Sequence, residues 1–500
     1  MGRVLMMLEV SRKQDYIFAN RKLSENVRRS QEISHVTDSG FFEAEAGDLY
    51  SEAENLVYTG GGHTVLQFPD AESARAFGQR VSEAALRRYD GMEMFVQCLP
   101  FDEQSTPEAN LTALTEALER KKALRKASFR QLSAGVEALD AECFQPLPLK
   151  VASPHPLGEP CAPPEGCAFP REFSELAGDD PFIAVIHIDG NAMGKRVQQL
   201  YAREGRDWEA CRQSLQRFST GIQADFEQAF RETAAVVAGQ RGISSAALPI
   251  RPLILAGDDV CFVTAGRIAL ECARVFLGRL RTKVNAEDKK PYAACAGVAI
   301  VHTKYPFHLA YGLSEELCGS AKRFGASLDP DGRVCAMDWH IEFGQLKDGL
   351  SAIREDYETE DGNRLELRPL VVAAPEDADL RRTGGVREWA FFRAMCMALQ
   401  GEYGSVARSK IKQLRTAFKQ GEVESRFFLQ EKMIHDLLYH VADASHLGDE
   451  ARRAWYRKLL TGDARMENEA FRVIDGVKRC LFFDALELMD NCDFFEEVRA

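Results

Sequence analysis

The chain has 500 residues, 45% hydrophobic and 28% charged, an ordinary globular composition that excludes a disordered, collagenous or fibrous protein. With 63 Lys and Arg against 76 Asp and Glu the net charge is −13, which argues against a broad non-specific grip on nucleic acid and leaves room only for a local basic groove. No run reaches the ~18 apolar residues of a membrane span, Glu9 comes too early for a signal peptide, and the 13 cysteines form no Cys-x-x-Cys pair, so a cytoplasmic protein with buried thiols and no membrane partner is expected.

The first hundred residues alternate between element types. Val4–Val10 is a short apolar run and reads as a buried strand. Lys13–Val36 reads as helix, with a polar break at Asn20. Its Arg12, Lys13, Arg21, Lys22, Arg28 and Arg29 read as a solvated face rather than a nucleotide-facing one. Val57–Thr59 and Thr64–Phe68 flank Gly60-Gly61-Gly62 and read as a hairpin, since glycine tolerates positive φ. Ala74, Phe77, Val81, Ala84 and Ala85 follow at helical spacing, and Met94–Val96 closes a β-α-β-β-α-β plan. A charged helix is expected over Pro107–Leu132. Eight prolines from Pro146 to Pro170 make residues 141–175 a linker or irregular insert.

The plan then recurs. Phe182–Ile188 reads as a strand, helix follows to about Val237, and Pro252–Ala256 and Val260–Thr264 flank Gly257-Asp258-Asp259 as a second hairpin. Ile268–Val284 reads as helix, Cys295–Val301 as strand, His308–Phe324 as helix and Val334–Trp339 as a last strand. Beyond Leu365 strand signals fade, and Val386–Leu399, Val406–Phe418, Glu424–Val441, Glu450–Leu460 and Val477–Met489 read as helices. The expected architecture is α+β: a first domain over 1–140, a second over 176–345 and a helical domain over 346–500.

The chemistry concentrates in the second copy. Asp189 ends an apolar strand, and Asp258 and Asp259 occupy the bend of a hairpin whose strand neighbours it, so the three carboxylates converge at one end of the sheet. Alone, Gly-Asp-Asp is a polar turn of the ordinary kind; Asp189 at the matching place favours function. Carboxylates this close raise one another's pKa unless a cation neutralises them. Their hard oxygens suit two Mg²⁺ or Mn²⁺ ions that bridge phosphates. Gly190, Asn191, Gly194 and Lys195 follow Asp189 at a turn opening a helix, which exposes N–H groups to phosphate. They do not form a Walker loop, which needs four residues between its glycines. Lys322, at the end of the helix after the Ala296-Gly297-Val298 strand, is a second phosphate candidate.

Ile186-His187-Ile188-Asp189-Gly190-Asn191-Ala192-Met193-Gly194-Lys195, with Arg251-Pro252-Leu253-Ile254-Leu255-Ala256-Gly257-Asp258-Asp259, resembles the second palm of the polymerase/cyclase subunit of type III CRISPR complexes, a palm shared with GGDEF-type cyclases. Cys295–Ala299, His302–Pro306 and Ser320-Ala321-Lys322 are similar to that family's following strand, loop and helix end. Val10–Phe18, with Lys22–Asn26 and Gly60-Gly61-Gly62-His63, resembles its first palm, and Leu346 onward its helical domain.

The resemblance implies two ferredoxin-like palms and a metal-dependent synthase that joins ATP into a cyclic oligonucleotide or dinucleotide messenger for antiviral defence. Asp189 and Asp258 would hold the metals with Asp259 assisting, and Lys322 would touch the triphosphate. The first palm, with Glu9 in the place of Asp189, would bind a nucleotide through Gly61, Gly62 and His63 without catalysing. Implied partners are an RNA trigger or viral component, a nucleotide-gated effector and a further copy of the chain. Three features depart from the family: Ala256 precedes Gly257-Asp258-Asp259, Asn191 replaces a second Asp, and no HD nuclease domain precedes the first palm. His435-Asp436 reads as structural. Cys143, His155, Cys161 and Cys167 are spaced too irregularly for zinc. A non-catalytic scaffold or complex subunit, and a GTP-using cyclase, are the alternatives.

Overall fold

In the computed structural model, which describes residues 2–89, 91–124, 158–243, 246–344, 347–375, 386–400, 408–431 and 470–495, the apolar run at the start of the chain is a central strand. Four strands, β1 (Val4–Ser11), β2 (Leu56–Gly60), β3 (His63–Phe68) and β4 (Glu93–Pro100), form an antiparallel sheet of order β2-β3-β1-β4. β1 is buried on both faces, Leu5 and Met7 on one and Met6, Leu8 and Val10 on the other. That is why it reads as continuous apolar sequence rather than as an alternating one.

The second sheet repeats the plan and extends it. β5 (Phe182–Gly190), β6 (Ile250–Ala256), β7 (Asp259–Ala265) and β8 (Ala294–His302) take the order β8-β5-β7-β6. β9 (Cys335–Ile341) runs parallel to β8, returned by the crossover helix Phe307–Leu328, and β10 (Leu370–Ala373) pairs antiparallel with β9. The architecture is α+β, two βαββαβ palms with a helix-rich C-terminal region.

The repeat is visible in register and backbone more than in residue type. Glu9 lies opposite His63 in the β1–β3 ladder, and Asp189 lies opposite Asp259 in the β5–β7 ladder. Three residues after each acid a non-glycine residue is left-handed, Arg12 at φ 50° and Ala192 at φ 57°, and a helix starts at the next residue. The bends share positive-φ glycines, Gly61 at 58° and Gly257 at 71°.

The palms interlock. The long helix Trp208–Ala238 packs on both β2 and β6. From it Arg212 Nη1 donates to the Leu56 carbonyl at 2.8 Å, and Trp208 Nε1 donates to Gln67 at 2.7 Å. Apolar side chains of β1 share one core with Ile183, Val185, Leu253 and Val263.

Several elements differ from their sequence reading. The Lys13–Val36 segment is two helices, Lys13–Ile17 and Leu23–Val36, broken where Asn20 Oδ1 accepts from Lys22 N–H at 2.9 Å. The helix after β5 splits into Met193–Glu204 and Trp208–Ala238 at Gly205 (φ 63°), with Asp207 capping the second. The strand β10 and a hairpin of β11 (Phe471–Ile474) and β12 (Val477–Cys480) interrupt the stretch read as wholly helical. Val477–Met489 is therefore a strand followed by the helix Phe483–Leu488. The Asp475-Gly476 turn, both residues at positive φ, sets that hairpin and overrides the apparent helical spacing. Helices Trp389–Gln400, Arg408–Gln420 and Glu422–Glu431 match expectation. Helix Pro107–Leu124 is described, and its expected continuation to Leu132 lies outside the described residues. So do the expected helix Glu450–Leu460, the part of Glu424–Val441 beyond Glu431, His435-Asp436, Cys143 and His155.

The C-terminal region joins the second palm through buried charge. Arg368, fully buried, stacks over Trp339 of β9 at 5.2 Å while donating to Glu487 at 2.9 Å and lying 3.6 Å from Asp484. Among the described residues no helix is long and apolar enough to cross a membrane.

Candidate functional site

Three acidic side chains meet where β5 ends beside the β6–β7 bend. Asp189 and Asp259 are direct cross-strand partners and so project to the same face. Gly190 N–H donates to the Asp258 carbonyl at 3.2 Å, tying the strand end to the bend. Gly190 also makes room: a Cβ there would lie 2.6 Å from Met193 Cε and 2.9 Å from Asp258 Cβ. The bend requires Gly257, whose φ of 71° strains any side chain. Gln223, on the helix Trp208–Ala238, holds it from behind, accepting from Gly257 N–H at 2.5 Å and donating to the Leu255 carbonyl at 3.0 Å.

The electrostatics are those of negative charge only partly compensated. Burial first, and the charge of Asp189 second, push the Asp258 carboxyl up to about 6. Asp259 is also raised, mainly by burial, against the pull of His187. Its side chain is 46% exposed, yet Oδ1 is sealed, 3.7 Å from His187 Nδ1, and neither atom has a hydrogen-bond partner. One oxygen therefore faces inward and the other is left for solvent or ligand. Asp189 is met by Lys322, whose ammonium lies 2.5 Å from Oδ2 and donates to the Gly190 carbonyl at 3.0 Å. The helix carrying Lys322 lies hard against β8, because Gly297 has no side chain to hold it off.

The remaining sequence candidates divide. Asn191 is structural, its side chain donating to the Val334 carbonyl and its N–H to the Ala293 carbonyl, each at 2.8 Å. Lys195 reaches the Pro330 carbonyl at 2.8 Å, and Gly194 sits in the first turn of its helix in open space. Gly61, Gly62 and His63 form the first-palm bend. His63 is pushed down to about 4 by burial and then by the charge of Lys13.

Lys13 itself differs from its reading as a solvated lysine: its ammonium donates to the Gly61 carbonyl and its stem packs against Gly62. Burial lowers its pKa, while Glu9 and Asp259 both raise it, so it is within electrostatic reach of both palms. The sequence reading also missed His187, Gln223 and Lys122. His187 is two residues before Asp189 and hence on its face, a signal that was available. Gln223 carries none.

The donors fit a hard divalent cation. All are carboxylate oxygens, and Asp258 ionises with difficulty, burial and Asp189 outweighing the pull of Lys322. Among the described residues no three His, Cys, Asp or Glu side chains are arranged to hold a metal ion. Mg²⁺ asks for only one or two carboxylates when phosphates and waters complete its shell, and Asp189 and Asp258 are the two that would supply them. Lys322 stands at Asp189 as a tethered cation.

Two βαββαβ palms, one carrying an acidic bend beside an acidic strand end, define a palm-domain protein. Residues 182–326 match the family model of the Cas10/Cmr2 second palm domain. The chain is thus a two-palm protein whose second palm is similar to that of Cas10/Cmr2. It superposes on a chain of a Csm1-Csm4 cassette solved in complex with cA3 at a TM-score of 0.51 and 13% identity, covering 98% of this chain and 69% of that one. The cassette in complex with AMPPNP gives 0.50 and 14%, again over 98% and 69%. Against the cassette in complex with pppApA the values are 0.43 and 16%, over 67% of this chain and 54% of the other, so the chain spans about half of that relative's length. At these identities the likeness is one of fold. A comparison with curated proteins finds no match.

Proposed function

We propose that the second palm joins ATP molecules into a cyclic oligonucleotide or cyclic dinucleotide for antiviral defence. The observation that carries this reading is Asp189 opposite Asp259, with Asp258 in the adjoining bend and Lys322 at its side. A ribose hydroxyl attacks an α-phosphate, the new P–O bond replaces the α–β anhydride bond, pyrophosphate leaves, and the hydroxyl proton passes to solvent. Asp189 and Asp258 would hold the divalent ions. The chemistry such ions would supply there is a lowered pKa for the attacking hydroxyl and neutralisation of the leaving phosphates. Lys322 moves from Asp189 to the triphosphate, and Gln223 keeps the bend in place. Adenine is favoured because the neighbours of this fold were solved with AMPPNP and cA3. A partner subunit, an RNA trigger and a nucleotide-gated effector belong to the same proposal.

Purified protein is incubated with ATP and Mn²⁺ or Mg²⁺, with and without RNA, and the products are resolved by mass spectrometry. Cyclic adenylate plus pyrophosphate supports the proposal, and competition with GTP tests base choice. No product under any condition, with metal bound, refutes it and leaves a scaffold.

A further inference from the structure

One face of β5 carries an anomaly. Ile183 and Val185 lie on the face that the first palm covers and share one core with its side chains, and the next residue on that face is His187 rather than a third apolar one. The imidazole is buried, and among the described residues its Nδ1 has no hydrogen-bond partner. A buried polar atom without a partner costs stability that an apolar side chain would not. The first palm shows the apolar alternative. Glu9 lies opposite His63 as Asp189 lies opposite Asp259, so Met7 takes the place of His187 and His63 that of Asp259. The strand-end acid there, Glu9, pairs with Lys122 at 3.0 Å. The buried histidine thus occurs in the copy that has the acidic bend.

The surroundings of the ring aim it at Asp259. His187 lies opposite Cys261, which makes it the diagonal neighbour of Asp259 on one face of the sheet. Nδ1 is 3.7 Å from Asp259 Oδ1, which likewise has no partner among the described residues. Behind the imidazole, the Tyr311 ring meets it edge to face at 5.8 Å. Tyr311 is itself fixed from the first palm, its ring 4.4 Å from that of Phe18, and it hydrogen-bonds to Glu315, whose carboxylate accepts from Gln14 Nε2 at 2.5 Å. His187 draws on both Asp259 and Glu315 and so sits between two carboxyls. The 3.7 Å gap is longer than a hydrogen bond, and a small rotation of the Asp259 side chain closes it. Contacts of this kind are commonly long in the empty enzyme and tighten in the complex.

We infer that His187 is a positioning residue, donating from Nδ1 to the inner oxygen of Asp259 so that the outer oxygen is held toward the site, with Tyr311 and the first palm's Phe18 and Gln14 keeping the imidazole in place. This rests on the nucleotide-joining reading above and adds how its third carboxylate is aimed. Carboxylates that meet a metal ion are ordinarily hydrogen-bonded on their far side, and losing that support costs about 10–100-fold in metal affinity or activity. The first palm then has a share in the reaction as the wall behind the histidine.

The test uses the full chain and two readouts: Mn²⁺ affinity by electron paramagnetic resonance, with and without AMPPNP, and pyrophosphate release at increasing ATP. His187→Phe keeps the ring and its contact with Tyr311 but removes both nitrogens. It should weaken Mn²⁺ binding and lower kcat about tenfold each, with KM for ATP changed by less than about twofold. His187→Asn puts an amide nitrogen where Nδ1 stands and should recover most of both losses, whereas His187→Gln, whose amide falls in the place of Nε2, should not. In an Asp259→Asn background His187→Phe should cost less than about a further twofold, because its effect passes through that carboxyl. Unchanged Mn²⁺ affinity and kcat in His187→Phe overturn the inference, whether or not Tm falls, since a lower Tm alone marks a packing role. A loss shared equally by the Phe and Asn variants, or one that adds fully to that of Asp259→Asn, also overturns it. No pyrophosphate release from the wild type with Mn²⁺ bound refutes the nucleotide-joining reading, and the Mn²⁺ affinities then decide the positioning role by themselves. A wild type that binds no Mn²⁺ in either condition overturns both.

Discussion

Replacing Asp258 by Asn should stabilise the protein while abolishing product formation. Asp258 ionises near 6 in the folded chain against an ordinary value of 3.8, because it is buried and faces Asp189. A raised carboxyl favours the folded state fully below 3.8, and that contribution is lost as pH rises through about 6. Holding the site ionised at pH 8 costs at most about 3 kcal/mol, at ~1.36 kcal/mol per pKa unit. Solvent access to a partly exposed carboxylate reduces this to about 1–2 kcal/mol. Asn mimics the neutral form, so Tm at pH 8 should rise by about 2–6 °C, with a clearly smaller gain at pH 5. Melting curves at both pH values, with and without Mn²⁺, provide the check. Mn²⁺ should raise the wild-type Tm, because binding to the native state stabilises it, and should raise the variant's less. A variant melting at or below wild type at pH 8, or gaining as much at pH 5 as at pH 8, would refute the view that burial and Asp189 hold this carboxyl up.

Three further outcomes follow from the geometry. Lys322→Met should tighten Mn²⁺ binding, measured by electron paramagnetic resonance, because it frees Asp189; it should also slow product formation by about 10–100-fold through loss of a charged phosphate contact. Gly297→Ala places a Cβ 2.0 Å from the Ser314 carbonyl oxygen and 2.3 Å from Cys318 N, backbone atoms that cannot rotate away. The helix must shift to restore contact, costing about 3 kcal/mol and lowering Tm by about 6 °C or more. Arg368→Met leaves Asp484 buried without its cation and Glu487 with only Arg415 at 3.5 Å, a loss of about 3–5 kcal/mol that should appear in melting curves and as faster proteolysis of the C-terminal region.

The convergence of Asp189, Asp258 and Asp259 was legible because it follows from local pattern: an apolar strand ending in an acid, and a glycine bend between two others. The repeat was legible for the same reason. Lys122 and Lys13 were not, since their positions depend on how far a helix travels back along the sheet and on a left-handed residue at Arg12. β10 was hidden by its length, four apolar residues between Pro369 and Pro375. The β11–β12 hairpin was readable in Asp475-Gly476 and was lost to an apparent helical spacing across Val477–Met489.

β10 has a practical bearing on how the chain can be divided. It covers the flank of β9, and its own outer side is bonded in turn, Val371 N–H donating to the Arg387 carbonyl at 2.8 Å. A shortened chain stopping at residue 345 would uncover β9 along a row of unsatisfied amides and carbonyls, an invitation to self-association. The second palm is finished only by residues that come well after its last helix, so any excised palm intended for study should retain the chain through Trp389.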